Sequence, residues 1–257
     1  MERQHEKYER LIARCKALTP VPTAVAHPCD ETSLKGAVEA AELGILQPIL
    51  VGPKARIQAV ATQFQLDISA YEISDAPHSH AAADLAVQLA REGKAEMLMK
   101  GSLHTDELMG AVVRTATGLR TERRISHAFI MDVPSLDRAI VVTDAAINIF
   151  PTLEDKVHIV QNAIDLVCAL GFEQPKVAIL SAMETVNPKV QSTIEAAALC
   201  KMADRKQITG GILDGPLALD NAIDLAAAQI KKIDSPVAGR ADILVVPDLE
   251  AGNMLAK

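Results

Sequence analysis

Ala95-Glu96-Met97-Leu98-Met99-Lys100-Gly101-Ser102-Leu103-His104-Thr105-Asp106-Glu107 is the stretch that decides how the chain folds. Residues 95–100 read as a short apolar strand. A helical pattern follows over 105–117 and stops at Gly118. Strand, glycine loop and helix make up a βα unit, and in open parallel sheets ligands bind at the carboxyl ends of the strands. The loop 100–107 is therefore a candidate anion site. Gly101 lets the backbone come close to a ligand, Ser102 and Thr105 offer hydroxyls, and His104 donates or accepts. The free amides at a helix start favour an anion. The same residues also fit an ordinary loop with a hydroxyl N-cap, in which Asp106 and Glu107 merely suit the helix dipole.

The pattern repeats on both sides of this unit. Toward the N-terminus, 2–18 reads as a charged amphipathic helix. Strands at 22–26, 47–51 and 69–73 then alternate with helices at 31–43, 54–65 and 79–93. Toward the C-terminus, 127–131 and 139–142 are strands joined by a short Pro134-containing turn, which fits a hairpin. A second series follows Pro151: helices at 153–170, 188–203 and 219–232, and strands at 177–180, 208–213 and 243–246. Such alternation predicts an α/β chain with mainly parallel sheets and right-handed crossovers. The Phe150–Pro151 region is the expected junction, dividing a first domain at 1–149 from a second at 150–257.

Composition narrows the function. Hydrophobic residues are 49% of the 257, but aromatics only 2%. The core must be aliphatic, and there are no faces on which to stack single-stranded bases. The formal net charge of -7 gives no general attraction to nucleic acid or anionic lipid. Neither is expected as a partner. Cys15, Cys29, Cys168 and Cys200 are scattered without a CxxC pair, as reduced thiols in a cytoplasmic protein would be. The charged N-terminus has no apolar signal core, and no apolar run is long enough to span a bilayer.

Three further segments carry candidate groups. Arg114, Arg120, Arg123 and Arg124 either fork onto phosphates or sit as a solvated helix end. Asp144 and Asn148, in Thr143–Pro151 at a strand end, either face a cleft between domains or bond their own backbone in a turn. Ser181–Pro188 is polar and well placed, but also fits plain helix entry with Asn187 as N-cap and Pro188 at the first position. The seven histidines form no HxxxH or HExxH pattern, so no metal site is expected. No P-loop, GxGxxG or GxSxG motif is present.

Taken in order, Lys100-Gly101-Ser102-Leu103-His104-Thr105, Asp144–Pro151, Leu180–Pro188, Gly211–Asp220 and above all Pro236-Val237-Ala238-Gly239-Arg240-Ala241-Asp242 through Ala251-Gly252-Asn253-Met254 resemble the phosphate acetyl/butyryltransferase family. The resemblance covers nearly the whole chain. It implies two α/β domains with a cleft between them, similar to isocitrate/isopropylmalate dehydrogenases, and a homodimer. It implies attack of inorganic phosphate on an acyl-CoA thioester, or the reverse, with CoA as substrate and no permanently bound cofactor. By this resemblance Ser102, His104 and Thr105 bind phosphate, and Asp144, Asn148, Ser181, Glu184, Asn187 and Asn253 line the substrate and CoA side. Some relatives are fused behind an enoyl-CoA hydratase-like domain, which is not seen here.

Family chains continue past Gly-Asn-Met with another βα unit, a Ser-Arg motif and an Asp that are thought to be catalytic. The expectation is that these lie beyond Lys257, that no catalytic residue is assignable within 1–257, and that this stretch alone is nearly inactive in acyl transfer. Two alternatives remain open: a metal- and NAD-dependent dehydrogenase of the same fold, and a non-catalytic acyl-CoA or phosphate-binding module.

Overall fold

The computed structural model describes residues 6–257. Among them the chain forms helices α1 (Glu6–Cys15), α2 (Glu31–Glu42), α3 (Lys54–Gln63), α4 (Ser79–Arg91), α5 (Thr105–Val112), α6 (Leu153–Ala169), α7 (Gln191–Asp204), α8 (Leu219–Ile223), α9 (Leu225–Ile230) and α10 (Leu249–Ala256). The strands are β1 (Val21–Ala26), β2 (Leu46–Gly52), β3 (Glu72–Asp75), β4 (Met97–Lys100), β5 (Ala128–Met131), β6 (Ile140–Thr143), β7 (Lys176–Leu180), β8 (Ile212–Leu217) and β9 (Ile243–Val245). The part of the expected first helix before Glu6 lies outside the described residues. No helix among the described residues is long and apolar enough to cross a membrane.

The chain divides into two compact units, Glu9–Glu122 and Arg123–Lys257, the latter together with the described residues before Glu9. This break precedes the expected junction at Phe150–Pro151, for a physical reason. The β5–β6 hairpin does not extend the first sheet. Its β6 pairs in parallel with β9, with Val141 opposite Ile243, and so joins the second unit.

In the first unit four parallel strands run in the order β3-β2-β1-β4. Both faces are covered, so the strands read as continuous apolar runs rather than alternating ones. Along β1 the pleat sends Ala24 and Ala26 to one core, with Ala82, Ala86 and Val87 of α4 and Leu108 of α5. Val25 faces the other core, with Leu34 of α2 and Ile57 of α3. Small alanines on α4 let its backbone lie close to the sheet without any aromatic filler.

In the second unit the order is β5-β6-β9-β7-β8, antiparallel only at the hairpin. Ile243 and Val245 of β9 pack under α6 and α7. Leu244 and Val246 face the opposite layer with Ala222 of α8 and Ala228 of α9. Asp242 pins the lower end of this sheet: its carboxylate accepts from the Lys176 N–H at 2.8 Å, and its carbonyl accepts from the Val141 N–H at 2.8 Å.

Several expected boundaries move. The helix expected over 105–117 stops at Val112, because the chain folds back and the Leu119 N–H bonds the Val112 carbonyl at 2.7 Å. Helix α7 starts at Gln191 rather than Pro188, since the buried Thr193 hydroxyl holds Asn187 in a turn. Strand β8 covers 212–217 rather than 208–213, where Gly210 and Gly211 pass against Ile164. The helix expected over 219–232 breaks at Asp224, whose extended backbone and side chain cap α9. Helix α10 had no counterpart in the sequence reading.

Candidate functional site

The order β3-β2-β1-β4 places a topological switch point between β1 and β4: one connection leaves β1 toward β2, and the chain later returns to β1's other side. Ligands bind outside the carboxyl ends of such strands. There the loop after β1 (His27-Pro28-Cys29-Asp30) meets the loop after β4 (Gly101-Ser102-Leu103-His104).

The two loops are tied together. The Gly101 N–H donates to the Ala26 carbonyl and the Ser102 N–H to the His27 carbonyl, both at 2.8 Å. A Cβ added at Gly101 would stand 2.4 Å from the Ala26 oxygen and 2.5 Å from the His27 oxygen. Glycine is therefore required here by strand β1, not only by a ligand. The Ser102 hydroxyl donates to the His27 carbonyl at 2.9 Å and accepts from the Cys29 N–H at 3.2 Å. Ser102 was singled out as a phosphate ligand, yet its hydroxyl acts as the fastener between the loops.

His104 is the N-cap residue of α5, and its N–H donates to Glu107 Oε2 at 2.7 Å. Glu107 Oε1 accepts from the Ser79 hydroxyl at 2.7 Å and meets His80 Nδ1 at 2.8 Å. The bonds from Ser79 and the His104 N–H, with His80 and His104 close by, hold the Glu107 carboxyl below its ordinary range. Its stabilising contribution is thus present above the ordinary carboxylate range and is lost as pH falls through it. Acid titration of stability should therefore show a loss in wild type that Glu107→Gln lacks; identical acid limbs would disprove the link. Thr105, at the first helical position, is exposed, and none of the described residues holds its hydroxyl.

Two thiols, Cys29 in the loop after β1 and Cys200 on α7 of the second unit, are each held above the ordinary thiol range. Burial is the main force pushing Cys29 up, against the lowering influence of Arg56. Burial, with Asp214 and Asp204, pushes Cys200 up to about 12. Among the described residues no three His, Cys, Asp or Glu groups are placed to hold a metal ion.

In the second unit all six expected residues follow the carboxyl ends of β6, β7 and β9. Three of them converge as one clasp. The buried Asp144 carboxylate accepts from the N–H groups of Ala146, Ile147 and Asn148 at 3.0–3.1 Å and from Asn148 Nδ2 at 2.5 Å. Asn148 in turn accepts from Arg124 Nε at 2.5 Å and donates to the Ile125 carbonyl at 3.0 Å. Asn253 of α10 donates to the Ala145 carbonyl at 3.2 Å, and Gly252 passes so close that a Cβ would lie 2.9 Å from Ala145 Cα. The turn reading of Asp144 and Asn148 therefore describes their contacts. The arginines are also placed: Arg124 pairs with Asp155 at 3.0 Å, Arg123 with Asp165, and Arg114 with Asp84 at 2.8 Å beside a surface cavity between α4 and α5.

Ser181, Glu184 and Asn187 sit in the long loop after β7. The Ser181 hydroxyl shares a 2.8 Å bond with Ser192 at the start of α7. Glu184 Oε2 accepts from Lys231 at 3.2 Å and from the buried Asn221 amide at 3.4 Å. Asn187 Oδ1 accepts from the Lys189 N–H at 3.0 Å, so Asn187 shapes the loop and is not the N-cap of α7. Sequence reading missed His27, because its partner Ser102 lies 75 residues away. The nearest available signal was its position directly after a strand.

Residues 78–257 match the family described as "Phosphate acetyl/butaryl transferase". A "Phosphate acetyltransferase" of Rhizobium meliloti is 67% identical over 254 residues, which is 99% of this chain and 80% of that protein. A "Phosphate butyryltransferase" of Clostridium beijerinckii is 42% identical over 252 residues, 98% of this chain and 83% of that protein. Among solved structures, a branched-chain phosphotransacylase from Enterococcus faecalis superposes with a TM-score of 0.77 at 30% identity, covering 91% of this chain and 82% of that one. With the family model matching well over half its length and relatives this similar, the chain belongs to the phosphate acetyl/butyryltransferase family.

Proposed function

We propose that the chain moves an acyl group between coenzyme A and inorganic phosphate, acyl-CoA plus phosphate giving acyl phosphate plus CoA. The observation that carries this reading is the 67% identity to a phosphate acetyltransferase along 99% of the chain. CoA and its acyl thioester are substrates rather than resident cofactors, and the enzyme works in the cytoplasm as a homodimer. Phosphate is received at the start of α5, where Thr105 presents an unengaged hydroxyl and the first-turn amides favour an anion. His104 borders the same place. Ser102 contributes by holding the loop in position. The CoA side is the carboxyl edge of the second sheet, where Ser181, Glu184 and Asn187 lie and the Asp144–Asn148–Asn253 clasp sets the loop shape.

The direct test is acyl phosphate formation from acetyl-CoA and butyryl-CoA with phosphate. Turnover that instead needs NAD and a divalent metal would support the dehydrogenase reading; ligand binding without turnover would fit both the binding-module reading and the near-inactivity expected of residues 1–257 alone. For the phosphate contact, Thr105→Ala should raise the phosphate KM about tenfold, as expected for losing a hydrogen bond to a charged group. The KM for CoA should stay within about twofold by the same reckoning, since no CoA contact is removed. An unchanged phosphate KM would place the anion elsewhere. For the dimer, light scattering that finds only monomer at micromolar concentration would refute the assembly.

A further inference from the structure

His27 is the residue that the phosphate reading leaves without a task. It follows β1 directly, has φ of 57°, and is only 6% exposed. Its N–H donates to the Val51 carbonyl at 2.7 Å, and its carbonyl accepts from the N–H groups of Cys29 and Ser102, each at 2.8 Å. The backbone is therefore held in a left-handed conformation that glycine adopts freely and that asparagine, aspartate and histidine adopt more often than other side chains.

The ring's tautomer follows from its neighbours. Nδ1 lies 3.3 Å from the Ser102 carbonyl oxygen and 3.2 Å from Ser102 Oγ. A carbonyl cannot donate. The single Ser102 hydroxyl proton is already given to the His27 carbonyl. Nδ1 must therefore carry the hydrogen, and in the neutral ring Nε2 carries a lone pair. Nε2 has no partner among the described residues and is not sealed from solvent. Around it stand the carboxyl ends of β1, β2 and β4: a Cβ at Gly52 would lie 3.7 Å from His27 Cδ2, the carbon next to Nε2. Cations are close. Asp30 is held below the ordinary carboxylate range chiefly by its bonds from Ser33, and also by Lys100 and Arg56.

In the neutral ring this Nε2, on a residue that is nearly buried at a switch point, accepts hydrogen bonds and does not donate them. Inorganic phosphate at neutral pH keeps at least one P–OH, whereas sulfate has no proton to give. We propose that His27 Nε2 accepts a hydrogen bond from the protonated oxygen of the phosphate substrate, and so makes the site select phosphate over sulfate. This deepens the phosphate acyltransferase reading and rests on it. A site built to receive a proton penalises an anion that lacks one, because the acceptor is then left unpaired.

His27→Asn separates this role from a purely structural one. Asparagine tolerates the left-handed backbone, and its Nδ2 can still donate to Ser102 in place of Nδ1. The Nε2 lone pair is deleted with the outer ring atoms, and the asparagine Oδ1, the only acceptor that remains, ends short of the Nε2 position. Calorimetric titration of both proteins with inorganic phosphate and with sulfate reads the ratio of affinities. Wild type should prefer phosphate, and His27→Asn should lower that preference about 10-fold to 100-fold, as expected for one hydrogen bond to a charged ligand. A variant that keeps the wild-type preference overturns the proposal while leaving the acyltransferase reading intact, as does a wild type that binds both anions equally. If the variant fails to fold, the imidazole ¹⁵N spectrum of the wild type decides. The proposal requires phosphate to move Nε2 and sulfate to leave it still. Movement with coenzyme A but not with inorganic phosphate assigns the contact to the coenzyme's own phosphate and overturns the claim. A wild type that binds neither anion and transfers no acyl group overturns both readings.

Discussion

Gly101→Ala should weaken phosphate-dependent acyl transfer by about 10²-fold, the scale expected when a ligand-positioning loop moves by about 1 Å. The added methyl would stand 2.4 Å and 2.5 Å from the carbonyl oxygens of Ala26 and His27. Both are backbone atoms, and both already accept hydrogen bonds from the Gly101–Ser102 amides. Neither can rotate away, so the end of β4 must part from the end of β1. The clasp through Ser102 then opens, and Thr105 and His104 move with it. Stability should also fall, by about 1–3 kcal/mol for overpacking of this kind. Gly110→Ala is the control. It lies within α5 with nothing within 4 Å of an added Cβ. That change should leave activity alone and add about 0.5–1 kcal/mol through helix propensity. Equal behaviour of the two variants in denaturant titration and in the transfer assay would refute the clasp.

Glu195→Ala should cost about 3–5 kcal/mol of stability, the range for removing one partner of a buried ion pair. Lys156 on α6 and Glu195 on α7 meet at 2.5 Å, with side chains 6% and 14% exposed. Gln191 Nε2 supports the other carboxylate oxygen at 3.1 Å. Losing the carboxylate leaves a nearly buried ammonium between two helices without its counter-charge. Replacing both partners together, Lys156→Met with Glu195→Leu, should recover most of the loss, because well-packed apolar groups often match a buried pair. Chemical denaturation of the single and double variants measures this directly. A single-variant loss below about 1 kcal/mol would put the pair in the class of exposed salt bridges.

Of the candidate residues, the sequence reading reached their places in the fold, on loops that follow the carboxyl ends of strands. The loop at 100–107 could be found because Lys100-Gly101-Ser102 follows an apolar run and opens a helical period. Asp144 could be read as a turn residue, because its partners at 146–148 are within four residues, whereas Asn148 also bonds Arg124 and Ile125, which lie 24 and 23 positions away. The role of Ser102 could not be read. Its hydroxyl is taken by His27 and Cys29, and only the parallel pairing of β1 with β4 brings those residues to it. Asn253 is a similar case: its partner Ala145 is 108 positions away, reached only because β9 lies beside β6.

The sequence by itself determined what depends on near neighbours along the chain. It set the βα alternation, most strand and helix positions in both units, and an aliphatic core suited to sheets buried on both faces. Periodicity, capping and turn chemistry act over about four residues, so they can be read from one chain. Only the tertiary structure decided the strand orders, with β4 joining β1 and β9 inserted between β6 and β7. With them came the membership of the β5–β6 hairpin in the second unit and the fastening of His27 by Ser102. Those choices depend on which buried faces and backbone donors meet across long stretches of chain, and no local pattern carries that information.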